Sequence, residues 1–103
     1  MLRKDRFADV ISRQLDLFVR DNLDLLEACD VAEHAYDRAE RDGAEELFGD
    51  YQELVEDGTE ILAGLRDNFA STLDEAAAEV YESAFNRAVE KRLPRFGLEI
   101  EDT

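Results

Sequence analysis

Residues 5–41 read DRFADVISRQLDLFVRDNLDLLEACDVAEHAYDRAER, and this stretch decides the fold. No glycine or proline interrupts it, and apolar or small residues recur in steps of four and three. That spacing is typical of a helix that packs along one side. The positions of this repeat are Ile11, Leu15, Phe18, Asn22, Leu25, Cys29, Ala32, Tyr36 and Ala39. The stretch therefore predicts one long helix, Asp5 to Arg41, capped by Asp5 and spanning about 55 Å.

Asn22 is the polar residue of this repeat and the place where a break is most plausible. An asparagine can cap a new helix, which would then begin at Leu23. However, the repeat passes through Asn22 without a phase shift, and this favours a continuous helix. A break would turn the predicted three-helix bundle into a four-helix bundle, because the first half would fold back.

Two further helices are predicted after the first. Gly43 should end the first helix in the left-handed conformation that is common there. The second helix is expected over Ala44–Phe69 and the third over Leu73–Arg92. Thr72 and Glu75 have the spacing of a capping box at the start of the third helix. The predicted fold class is all-α, an antiparallel bundle of three helices with a very long first helix.

The last ten residues, 94–103, form a tail behind the helical domain, 1–93. Pro94 should stop the third helix. After it, apolar residues alternate with other residues, a pattern that indicates an extended segment lying on apolar surface. The alternating residues are Phe96, Leu98 and Ile100. They could equally serve as a docking tail for a different protein.

Charge excludes several classes of partner. The chain has 27 acidic and 12 basic residues, a net charge of −15, which repels nucleic acid and anionic membrane surfaces. The first residues are followed by no apolar run, so neither a signal peptide nor a membrane anchor is expected. One cysteine cannot form an internal disulfide and suits a reducing compartment. We therefore expect a cytoplasmic protein.

Charge is also unevenly placed along the chain. Nineteen acids and three bases lie between Asp24 and Glu82. A basic cluster follows, made of Arg87, Lys91, Arg92 and Arg95. The acidity thus belongs to the middle of the chain.

Common catalytic motifs are missing from the sequence, including phosphate-binding glycine loops, HExxH and paired CxxC. Cys29 and His34 are five residues apart, which places them on different faces of a helix. Cys29 lies in the apolar repeat and is expected to be a buried, structural residue. His34 is expected on the surface. An enzyme is therefore the less favoured interpretation.

Carboxylates on facing helices offer an alternative, because a helical bundle can hold a divalent metal between them. Glu27 and Asp30 stand on the first predicted helix, and Glu46 and Asp50 stand on the second. They are loosely similar to the EExxE and ExxD motifs of all-α nucleoside triphosphate pyrophosphohydrolases. The first lacks the doubled glutamate, and the second has one residue too many. This alternative is a magnesium- or manganese-dependent phosphohydrolase or a metal-binding bundle; otherwise no cofactor is expected.

Helix lengths favour a homodimer. The second and third predicted helices are too short to cover the first, so its N-terminal part, with Leu2 and Phe7, should overhang and meet another copy. Asn22 would fix the register of that contact. The predicted interface consists of Phe7, Val10, Ile11, Leu15, Phe18 and Asn22. The favoured function is a non-enzymatic helical interaction or assembly module.

Overall fold

The computed structural model describes residues 6–103, and within this range the chain forms five helices. They are α1 (Ala8–Asp21), α2 (Leu23–Asp37), α3 (Arg41–Ala70), α4 (Glu75–Arg92) and α5 (Pro94–Ile100). The all-α prediction is confirmed. The bundle of three helices is wrong, because the first predicted helix is divided and the tail is helical. The predicted cap Asp5 and the predicted overhanging residue Leu2 lie outside the described residues.

The division of the first helix lies at Asn22. Its backbone, with φ −127° and ψ 32°, leaves the helical region for one residue. Both its backbone N–H and its side-chain Nδ2 donate to the carbonyl oxygen of Phe18, at 3.0 and 2.9 Å. The N–H of Leu26 in turn donates to the carbonyl oxygen of Asn22 at 3.0 Å. Asparagine suits such a position because its side chain satisfies backbone groups locally.

The first half does not fold back at this point, so the four-helix alternative is also wrong. α1 and α2 together form a bent rod, in which α2 packs against α3 and the start of α1 lies near the C-terminal end of α3. At one end the rings of Phe7 and Phe69 lie 6.4 Å apart, and at the other end those of Tyr36 and Phe48 lie 5.3 Å apart. The rod, with 14 and 15 residues in its two helices, matches the 30 residues of α3. No overhang is left among the described residues.

The ends of the helices and their capping residues differ from those predicted. α2 ends before Arg38, whose conformation is right-handed, and Glu40 is the extended residue that precedes α3. Gly43 therefore lies inside the first turn of α3, and no glycine in residues 6–103 has a positive φ. The cap of α4 is Asp74, whose carboxylate accepts from the N–H of Ala77 at 2.8 Å. The predicted capping residue, Thr72, instead donates to a carbonyl oxygen of the preceding turn.

The tail forms α5, so the extended conformation predicted for it is wrong. Pro94 occupies the first turn of this helix, where a missing N–H costs nothing. Phe96 and Ile100, four residues apart, share its buried face, with 1% and 0% exposure. Leu98 points away and is 89% exposed. One face of α5 is therefore packed against the other helices, and the opposite face is exposed.

The core lies among α1, α3, α4 and α5. Its largest buried side chains are Tyr81, Phe18, Phe85, Phe96, Leu15, Leu62 and Ile100. α2 and the part of α3 beside it, residues 23–54, project beyond this core and are termed the acidic arm. The acidic arm carries eleven carboxylates and two arginines, and Cys29 is its one buried apolar residue among the described residues. The molecule thus has a packed end and a thin, acidic end.

Candidate binding groove between α1 and α4

An open groove lies where α1 and α4 run side by side. Tyr81 of α4 holds the two helices together, because its hydroxyl donates to Oε1 of Gln14 on α1 at 2.8 Å. The groove has a volume of about 450 Å³. Its walls are formed by Ala8, Ile11, Ser12 and Leu15 of α1 and by Ala84, Arg87, Ala88, Lys91 and Arg92 of α4. We term it the α1–α4 groove.

The floor of the groove is apolar and combines three alanines with two larger aliphatic side chains. Ala84 and Ala88 are one helical turn apart on α4, opposite Ala8 at the start of α1. Ile11 and Leu15 close the bottom and are only 4% and 1% exposed. Small residues leave room for the side chains of another helix to pack between the two walls.

One edge of the groove is basic. Arg87 and Lys91 are about one turn apart on α4 and stand on the same side, while Arg92 follows Lys91 directly and is turned towards α1. Arg92 forms an ion pair with Asp16 and also donates to the carbonyl oxygen of Ser12 at 3.3 Å, so it spans from α4 to α1. Lys91 is exposed. In a chain with a net charge of −15, this edge gathers three of the twelve basic residues, and Arg87 also lines a neighbouring groove with four glutamates.

Arg95 connects the packed end of the molecule to the acidic arm. It lies at the start of α5 and donates to Asp30 at 2.8 Å and Glu33 at 3.2 Å on α2, and to the hydroxyl of Tyr51 on α3 at 3.2 Å. Burial by itself lowers the pKa of Arg95, but the hydrogen bonds and the negative charge of Asp30 outweigh it and raise that pKa. The guanidinium therefore stays charged. It braces the arm rather than offering a free binding group.

The predicted dimer interface is mostly covered by the chain itself. Phe7, Ile11, Leu15 and Phe18 are buried, and Val10 and Asn22 are half-buried. The overhang that motivated this interface does not occur, because α3 is longer than predicted and α4 lies beside α1. Ile11 and Leu15 nevertheless form the floor of the α1–α4 groove.

The predicted metal ligands are not brought together. Glu27, Asp30, Glu46 and Asp50 are all exposed, and Asp30 is paired with Arg95. Within residues 6–103, no group of three or more histidine, cysteine, aspartate or glutamate side chains could hold a metal ion. No contact of these carboxylates therefore favours a metal-dependent reaction.

Cys29 and His34 lie as the sequence predicted. Cys29 is fully buried. Burial is the main influence on its thiol and raises the pKa, while the positive charge of the nearby Arg95 partly opposes this rise. His34 is exposed, and its Nδ1 lies 2.8 Å from the carbonyl oxygen of Asp30. The thiol is thus kept neutral and shielded from solvent.

Of the predicted docking tail, Leu98 is the residue that remains accessible. It lines a shallow groove of about 310 Å³ with Phe48, Val55 and Pro94. Phe48 is itself 45% exposed. Phe96 and Ile100 are committed to the core, so a partner would reach the tail only through the side of α5 that carries Leu98.

The α1–α4 groove was not predicted from the sequence, although its parts are visible there. The signal is the combination of alanines at positions 84 and 88 with three bases at 87, 91 and 92. Such a pattern gives α4 a side that is apolar, small and positively charged at its edge. This pattern indicates a groove only when it is known that α1 lies beside α4.

Comparisons with known proteins found no similar protein. The chain matches no protein-family model, no curated protein and no solved structure. No helix within residues 6–103 is long and apolar enough to cross a membrane.

Proposed function

We propose that the chain is a non-enzymatic helical interaction module that associates with itself, with the α1–α4 groove as its binding site. The observation that carries this proposal is the basic edge on an open apolar groove in a chain of net charge −15. A groove walled by two helices suits an amphipathic helix, whose apolar side enters the groove while its charges meet the edge. The helix that fits must be acidic.

The chain itself contains such acidic helices. Residues 23–54 carry eleven carboxylates against two arginines. Two copies repel each other at long range, so a stable dimer has to bring unlike regions together. The basic edge of the groove provides the unlike region. A reducing, cytoplasmic setting fits this module, because its buried thiol needs no partner.

The proposal is tested by sedimentation equilibrium of the purified chain at physiological ionic strength. We expect a dimer at micromolar concentration. The double variant Arg87→Glu/Lys91→Glu reverses the charge of the edge and should raise the dissociation constant about tenfold or more. Circular dichroism should show that its helix content is unchanged.

The matched control reverses an exposed arginine that does not line the groove. Arg41→Glu adds the same negative charge per substitution at the far end of the acidic arm. It should leave the dissociation constant within about twofold, a free energy change below 0.5 kcal/mol. A chain that stays monomeric up to about 100 μM has a dissociation constant too weak for a specific dimer, and this result would refute self-association.

A further inference from the structure

We infer that the occupant of the α1–α4 groove is α2 of a second copy, in an antiparallel dimer with a two-fold axis beside Asn22. This rests on the proposed function and names its partner. Each copy places its acidic arm on the groove of the other, so the same contact is made twice. A two-fold contact of this kind closes after two copies.

α2 carries an apolar ridge that no described residue covers. Leu23 is 59% exposed and Val31 is 65% exposed. They are eight residues apart, with Glu27 halfway between them, so all three share one side of the helix over about 12 Å. Because the axis lies beside Asn22, Val31 comes to the level of Ser12 and enters the groove of the other copy, whereas Leu23 stays beside the axis.

Charge selects the antiparallel arrangement. Asp24 and Glu27 are exposed acids beside this ridge, and Arg87 and Lys91 are exposed bases on the edge of the groove. If the two chains ran parallel, acidic arm would lie on acidic arm, and eleven carboxylates of one copy would face eleven of the other. Like charges placed opposite each other oppose association, and opposite charges favour it. The antiparallel arrangement replaces that repulsion with two acid-to-base contacts.

The geometry of the rod allows both contacts at once. Asn22 stands in its middle, with 14 residues in α1 before it and 15 residues in α2 after it. An antiparallel second rod centred on Asn22 therefore places its α2 beside α1, and its α1 beside α2. The side of the rod that forms the groove wall continues into the ridge through steps of four, three, four and four. The residues in these steps are Ser12, Asp16, Val19, Leu23 and Glu27.

A charge-exchange experiment tests the pairing of Glu27 with Lys91. Lys91→Glu and Glu27→Lys each change one exposed side chain, so both variants should fold as the wild type does. In a homodimer of either variant, positions 27 and 91 of the two copies carry the same charge at both contacts. The dissociation constant of each homodimer should therefore rise about tenfold or more. In a mixture, every contact again joins an acid to a base. The mixed dimer should therefore regain the wild-type dissociation constant.

The matched control mixes Lys91→Glu with Glu53→Lys. Glu53 is an exposed acid of the same arm, but it lies on α3 and not on the ridge. The mixed dimer of this pair should not regain wild-type affinity, because one of its two contacts still joins Glu27 to a glutamate at position 91. Equal recovery with Glu53→Lys would mean that net charge alone governs association, and would overturn the assigned contact.

Crosslinking tests the direction of the two rods. Ser12→Cys and Val31→Cys lie at nearly equal distances on either side of Asn22 and are exposed, whereas the native Cys29 is buried and left in place. One variant carries a purification tag so that a mixed pair differs in mass. A short bis-maleimide should link Ser12→Cys to Val31→Cys in the mixture. It should link neither variant efficiently to itself.

The possible failures are distinguishable. A dimer in which Ser12→Cys links to itself has parallel rods, which overturns the antiparallel arrangement and leaves self-association standing. A dimer that the mixture of Lys91→Glu and Glu27→Lys does not restore has another occupant in its groove. A monomeric wild-type chain overturns the proposed function and this inference together.

Discussion

Replacing Gly58 with alanine should destabilise the protein, although alanine is normally the better residue inside a helix. Gly58 lies on α3 where α5 packs against it. A Cβ atom at this position would lie 2.8 Å from Cζ of Phe96 and still closer to its Cε1. The ring cannot turn away, because Phe96 is 1% exposed and stands edge-on to Phe18 at 5.8 Å between centroids.

The expected change in the free energy of unfolding is the sum of two opposed effects. In an open helical position, Gly→Ala stabilises by up to about 1 kcal/mol. Overpacking a buried contact costs about 1–3 kcal/mol. Gly64 provides the control on the same helix, since a Cβ atom there meets no described atom within 4 Å. Gly64→Ala should therefore be more stable than Gly58→Ala by about 1–3 kcal/mol, the overpacking cost.

Urea unfolding followed by circular dichroism measures this difference. In thermal melts, each kcal/mol should move the midpoint by about 4–8 °C for a domain of this size. Adding Phe96→Leu to Gly58→Ala removes the ring and should cost less than the sum of the two single changes, because the sites are in contact. If Gly58→Ala is as stable as Gly64→Ala, α5 does not pack on α3 as described.

Three further outcomes are expected. Desolvation by burial raises the pKa of Tyr81 to about 12. Because the pKa in the unfolded chain is near 10, the stability conferred by the neutral phenol is complete below pH 10 and is lost as the pH rises towards 12. Tyr81→Phe should therefore reduce the change in the free energy of unfolding between pH 10 and pH 12. Leu98→Ser should leave the unfolding midpoint nearly unchanged, whereas Ile100→Ala should cost about 2–5 kcal/mol, and equal effects would contradict the assignment of α5 to the core. Cys29 should react with a thiol reagent only through opening of the acidic arm, and rapid reaction of the closed arm would contradict its burial.

Periodicity within a segment predicted the helices well. The apolar repeat correctly marked Leu15, Phe18 and Cys29 as buried. It could not reveal the break at Asn22, because one residue leaves helical geometry while the phase of the repeat is preserved. The tail was ambiguous for a related reason, since Phe96 and Ile100 satisfy both an alternating and a four-residue spacing.

Neighbouring helices were harder to predict than helices themselves. The predicted turn at Gly43 is wrong because this residue lies inside α3, so the helix lengths from which the overhang was predicted differ from the real ones. The α1–α4 groove depends on contacts such as Arg92 with Ser12, which are 80 residues apart in sequence. No pattern within either helix states that the two will lie side by side.

The thinness of the acidic arm gives the molecule two levels of stability. Residues 23–54 contribute one buried apolar side chain among those described, and Arg95 is their main polar brace to the packed end. Backbone amides of the arm should therefore exchange with deuterium through local opening, while those of α4 exchange only on global unfolding. Salt screens the mutual repulsion of the arm's carboxylates, so raising the ionic strength should slow exchange in the arm far more than in α4.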